Sequence, residues 1–134
     1  MTRLVPEIEG FRRTPMEFVE GGPGGVIEAV SYRDGAGTVI AMAPGLPSWD
    51  TVTLRRTGAG SPALWKWWKA AVDGTVQRRT VLVRLVDDRG GPMGAWTLKG
   101  CWPTRWRLVE RTDRQGESTH VEEVTLAVED VDLA

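Results

Sequence analysis

At 134 residues, with 41% apolar and 26% charged side chains, the chain has the length of one domain with one core and lies well outside the disordered range. Its 17 Lys plus Arg against 18 Asp plus Glu give a formal net charge of −1, which excludes the global basic field that drives non-specific nucleic-acid binding. A single cysteine, Cys101, excludes an intrachain disulfide and has no Cys or His neighbour at metal-ligand spacing.

In chain order, residues 1–25 read as a short Pro/Gly-rich leader to a single domain covering 1–134, with a first strand at Met16 to Val19. Met1 to Gly10 lacks the apolar stretch of a secretory signal, and no run of about 18 apolar residues follows anywhere. Folding in the cytoplasm without membrane insertion is expected. Further strands are predicted over Val26 to Tyr32, Thr38 to Met42 and Thr51 to Arg56. They are separated by turns at Gly21 to Gly25, Asp34 to Gly37 and Pro44 to Pro47, where glycine meets the demand for positive φ. None of these glycine clusters has the residues of a phosphate loop.

One helix is predicted over Pro62 to Asp73, with Ser61 as N-cap, Pro62 in the first turn and Gly74 as terminator. Leu64, Trp65, Trp68 and Val72 recur at helical spacing as its apolar face, widened by Trp67. Residues Arg78 to Val86 then alternate, with Arg79, Val81, Val83 and Leu85 on one side, which is the signature of a strand. A turn at Asp87 to Pro92 leads to strands at Met93 to Lys99 and Trp102 to Glu110. After the polar connection Arg111 to Ser118, a last strand alternates His120, Glu122, Val124, Leu126 and Val128 against Val121, Glu123, Thr125 and Ala127. About eight strands and one helix, without strand–helix alternation, predict a mainly β fold: an antiparallel two-sheet sandwich or barrel with one flanking α-helix.

Chemistry is sparse. His120 has no orienting neighbour of the kind a general base needs, and Asp87 with Asp88 fit a hairpin turn better than a cation site. No catalytic residue, cofactor or metal is predicted. The seven tryptophans exceed what one small core absorbs at about 150–250 Å² each. They fit a core plus subunit interfaces; the rival is a ligand platform built from Trp96, Trp102 and Trp106 on a monomeric binding domain. Basic residues fall in the middle of the chain and acidic ones at its end, an arrangement that can complement between copies.

The ordered motifs from Val26 to Ala127 resemble those of the tube proteins of contractile phage tails and related injection systems. The residues carrying the likeness are Val30 to Gly35, Pro44-Gly45-Leu46 leading into Val52 to Arg56, Ala63 to Trp68, Asp73-Gly74, Arg78-Arg79, Val81 to Asp88, Gly91-Pro92 and Trp96 to Pro103. The resemblance implies a two-sheet barrel, sixfold rings stacked into a hollow tube, a lumen lined by strands of every subunit, and a sheath outside. It also implies baseplate or spike partners, and cargo or DNA passing the lumen without specific recognition.

Two departures, the short leader and the ending Leu126 to Asp132, fit a tube initiator or minor paralogue. The expected ring-closing surface is the strand pair Arg78 to Lys99, with Arg55, Arg56, Arg78, Arg79, Arg84, Trp96, Lys99 and Trp102 as interface residues. The expected ring-stacking loop runs from Asp34 to Pro47 and includes Asp34, Gly35, Gly45 and Leu46.

Overall fold

The computed structural model of the chain describes residues 1–11, 14–56 and 62–134. Its order is β1 (Arg3–Ile8), β2 (Met16–Phe18), β3 (Gly25–Arg33), β4 (Val39–Trp49), β5 (Val52–Arg56), α1 (Ala63–Val72), β6 (Arg79–Val86), β7 (Pro92–Thr112), β8 (Ser118–Ala127) and β9 (Asp130–Leu133). Every pairing is antiparallel. The predicted mainly β class with one helix is the observed one.

Strand β7 organises the body because it is long enough to belong to two layers. Its first half, Pro92 to Cys101, pairs with β6, which in turn pairs with β1. Its second half, Trp102 to Thr112, pairs with β8, followed outward by β5 and β2. Strand β9 continues the line of β8 along the same edge of β7, since Ala127 faces Trp102 and Asp130 faces Lys99. Between the two halves Gly100 takes φ +65, and a Cβ there would strike the Glu129 side chain; a glycine is needed at this bend. Sequence reading places a break at Gly100; the structure instead bends one continuous strand there.

The core lies between the layers, where Val81, Val83 and Leu98 meet Leu54, Val124 and Leu126. The alternation expected in β6 is realised: Val81 and Val83 are fully buried and Arg84 is exposed. A register irregularity between Leu85 and Val86 then turns Val86 inward as well.

Helix α1 covers this core beside β7. Its buried residues are Leu64 and Trp67, whereas Trp65 and Val72, predicted on the apolar face, are exposed. The inward line therefore keeps Leu64 and the widening residue Trp67 and leaves out Trp65 and Val72. Trp67 anchors it: its indole donates to the carbonyl of Gln77 (2.6 Å) and packs 5.7 Å from Phe11, with the Arg79 guanidinium over both rings. Gly74, at φ +98, ends the helix as expected, with its N–H bonded to the Ala71 carbonyl. The predicted N-cap, Ser61, lies outside the described residues.

Two strands appear where none is expected. Residues Arg3–Ile8, counted with the leader in sequence, pair along β6 over their whole length. Pro6 within β1 hides it from propensity, yet an edge strand tolerates a proline whose missing N–H faces away from its one partner. At the other end Asp130–Leu133 adds to β7 although its alternation is too short to register.

Strands β3 and β4 form a sheet of their own. Pro44 to Pro47, expected as a turn, lies within β4, opposite Ile27 and Ala29 of β3. Again the reason is edge position: in a two-stranded ribbon each strand has one unpaired side where prolines are harmless.

Candidate assembly surfaces

The β3–β4 ribbon is an arm. At about 3.3 Å per residue its strands reach on the order of 30 Å, and none of its residues joins the core. Val26, Ile27, Val30, Tyr32, Val39, Ile40 and Met42 are all exposed, and Leu46 is 91% exposed. Its charges are few: Glu28, Arg33 and Asp34. A ribbon of this kind is marginal alone in water, and apolar surface of this extent on one element marks an interaction site. Of the predicted stacking residues, Asp34 and Gly35 sit at its tip, whereas Gly45 and Leu46 lie on β4 toward the base.

The tip is held by Asp34, whose Oδ1 accepts the N–H groups of Ala36 and Thr38, each at 2.9 Å, ahead of Gly37 at φ +83. The same device recurs at Asp87 with Gly90 and at Asp113 with Gly116. Asp-x-x-Gly is thus the hairpin turn of this molecule. Asp87 is a turn former, as expected.

The basic middle of the chain meets acidic residues from both of its ends within one chain. Arg55 bonds Glu17 (2.9 Å), Arg56 bonds Glu122 (3.0 Å), Arg84 lies 3.8 Å from Glu7, Arg78 pairs with Glu129 and Lys99 with Asp132, while Arg79 donates to the Glu9 carbonyl. Six of the residues expected at a subunit interface therefore have intrachain bonds. Antiparallel register brings the middle and end strands side by side, a proximity that charge blocks along a sequence do not disclose. The hydrogen bond from Lys99 to Asp132 raises the ammonium pKa above its ordinary value. The Arg56–Glu122 pair is buried on the core side, and the second Glu122 oxygen accepts the Trp106 indole N–H at 2.6 Å.

The three tryptophans proposed as a ligand platform do not form one. Trp106 stacks on Trp68, with ring centroids 6.1 Å apart, and Trp96 packs against the core. Trp102 points away from its buried neighbours Cys101 and Pro103. Trp96 instead lines an apolar hollow of about 320 Å³ at the base of the arm, with Leu4, Trp49, Leu85 and Val131. His120 is exposed on β8 opposite Glu110. Cys101 is fully buried, and burial together with Glu129 pushes its thiol to about 12, which leaves it unreactive at neutral pH. Among the described residues no three His, Cys, Asp or Glu side chains are grouped to hold a metal.

One sheet edge of the body stays open among the described residues. Above Cys101, β7 has β8 on one side and no strand among the described residues on the side where β6 ended. The outer side of β2 faces β1, the other end of the same sheet, across a groove of about 730 Å³. Trp102, expected at the interface, stands where the open stretch of β7 begins.

Comparison with known proteins agrees with this architecture. The profile of the T4-like virus tail tube protein gp19 family matches residues 10–132. Among solved structures, a chain of the sheath/tube terminator of the PVC extracellular contractile injection system aligns with a TM-score of 0.73 at 21% identity, covering 98% of this chain and 93% of that one. A chain of the anti-feeding prophage baseplate aligns at 0.67 and 16% identity, over 98% and 92%. Hcp1 from Flavobacterium johnsoniae shares the fold more distantly, at 0.56 and 10% identity over 98% and 94%. No curated protein matches the sequence.

Proposed function

The chain belongs to the family of T4-like virus tail tube proteins, and from that premise we propose that its copies close into rings of six and stack into the inner tube of a contractile, phage-tail-like injection machine. The observation that carries this reading is the apolar arm. A chain built to act alone would not hold out a ribbon with Ile40, Met42 and Leu46 uncovered. Covering it with the next ring stabilises by about 1.5–3 kcal/mol for each large apolar side chain fully buried. Asp34, Gly35, Gly45 and Leu46 belong to that contact.

Ring closure uses the open stretch of β7. Joining it head-to-tail to a different surface of the next copy is the heterologous contact that generates a ring, and it satisfies backbone groups that would otherwise template aggregation. Assembly is the whole activity, and no reaction is assigned to the chain. A sheath surrounds the tube, baseplate or spike proteins meet its end, and cargo or DNA passes through without specific recognition. Made in the cytoplasm, the chain works as part of the particle, as a repeating subunit or as the initiator near the baseplate.

Size-exclusion chromatography with light scattering, followed by negative-stain microscopy, tests the reading. Rings or stacked tubes are expected. A strict monomer at high concentration would refute it.

A further inference from the structure

The two faces of the sheet β2–β5–β8–β7 differ in chemistry. Trp106 turns inward to stack on Trp68 of α1, so its neighbours Arg105 and Arg107 point the other way, with Arg111 further along the same side of β7. Register sets Glu17, Arg55 and Glu123 on this outer face as well. Its charged strand residues are thus four arginines and two glutamates, whereas the whole chain carries a net charge of −1. Apart from Trp102 and Ala127, where β7 bends, the rest of the face is threonine and valine.

Both carboxylates are shared. Glu17 Oε1 accepts from Arg55 at 2.9 Å and from Arg111 at 3.2 Å, and Glu123 Oε1 accepts from Arg107 through Nε at 3.0 Å and a terminal nitrogen at 2.9 Å. Arg105 is exposed and has no ion-pair partner among the described residues. The face therefore holds a positive excess, pinned in place by its own ion pairs.

In a tube wall such a face looks either inward to the passage or outward to the sheath. Across the sheet from it, α1 exposes Trp65 and Val72, while none of the exposed large apolar side chains of the described residues lies on the arginine face. Apolar surface suits the side that another protein covers, and a water-filled passage is lined without it. We propose that the arginine face lines the lumen and that its positive excess, repeated in every copy, draws in acidic polypeptide cargo. This rests on the tube reading above and adds the class of cargo. Pooled charge in a confined passage concentrates the opposite sign without contacts specific to any sequence. Nucleic acid fits less well. Trp102 alone, half-buried, makes no series on which successive bases stack, and of the four arginines only Arg105 is free of a carboxylate and open to phosphate.

Two measurements on assembled tubes test it. The native cysteine is buried, so Arg105→Cys supplies the reachable thiol. In tubes a small maleimide should label it and a bulky polyethylene-glycol maleimide should not, while Val72→Cys on α1 should take both. Bulky labelling of Arg105→Cys equal to that of Val72→Cys would overturn the proposal and leave the ring reading intact, and exclusion of both reagents would do the same. A wild-type chain that never forms tubes would overturn both. For the charge, tubes assembled with fluorescent polyglutamate, polylysine or a DNA oligonucleotide are pelleted and washed. Polyglutamate should be retained several-fold above either of the others. Arg105→Glu leaves three charges of each sign on the face and should abolish that retention. The milder Arg105→Gln should lower it by about half, and Arg105→Lys should keep it. Undiminished retention of polyglutamate in the tubes of Arg105→Glu or Arg105→Gln would overturn the proposal, as would the oligonucleotide retained in its place.

Discussion

The β3–β4 arm and the outer half of the β7–β8 hairpin leave the body with the same turn at the tip and opposite surfaces along their length. Asp34 with Gly37 and Asp113 with Gly116 make the same hydrogen bonds, and the glycines sit at φ +83 and +80. Behind the first turn stand Tyr32, Val39, Ile40 and Met42; behind the second stand Glu110, Arg111, Glu117 and His120. Turn chemistry fixes how a hairpin closes, whereas the residues along its strands decide whether water or another protein covers it. One arm is complete in solvent, and the other leaves apolar surface uncovered, as the proposed interface requires.

The largest effect separating the two should come from placing charge on the apolar one. Ile40→Asp with Met42→Asp should abolish tubes and leave single rings by electron microscopy, while the monomer unfolds as before because the arm supplies no core residue. The matched change Leu108→Asp, at a position 60% exposed on the charged hairpin, should leave tube length unaltered. Tubes surviving the first pair would erase the distinction. Next in size, Glu122→Ala at the root of the charged hairpin removes the carboxylate that Arg56 and the Trp106 N–H share, and should cost about 1.5–3 kcal/mol in denaturant unfolding.

A smaller contrast lies in the turns. Asp113→Ala and Asp34→Ala each remove two backbone hydrogen bonds, about 0.5–1.5 kcal/mol apiece. The first should lower global stability, because β7 and β8 belong to the body; the second should appear only as faster hydrogen exchange within the arm. Smallest at neutral pH, where it vanishes, is the response of Cys101, which belongs to neither hairpin. The folded state holds its thiol at about 12 against an ordinary 9.0, so the native chain retains a proton that the unfolded chain releases. Stability is therefore unaffected below pH 9 and falls as pH rises from about 9 toward 12. Thiol reagents at neutral pH should label the unfolded chain alone.

Much of the body is legible in the sequence. The alternation of Arg79 to Leu85, the glycine after α1 and the Asp-x-x-Gly turns are local signals whose physics is complete within a few residues. What escapes depends on neighbours distant in sequence. Pro6 and Pro44 argue against strands until it is known that each lies on an edge, and Gly100 looks like a stop until Glu129 is found beside it. The helix face is read too wide because Trp65 and Trp67 are equally apolar, and only contact with Phe11 and Arg79 selects Trp67. Candidate surface residues fare similarly. The arm's apolar content is readable, but the partners of Arg55, Arg56 and Arg84 emerge only from strand register. The open edge of β7, being a property of what is missing beside a strand, leaves no mark in composition.

The arm's independence from the core also sets a race. From the moment each copy is made it displays a cohesive strip that native folding does not retract, and a strip able to dock on a neighbouring ring, as proposed above, can adhere to any other arm it meets. Supply of this chain must therefore stay matched to the growing ends that consume it, and a surplus should accumulate as disordered clumps instead of longer tubes.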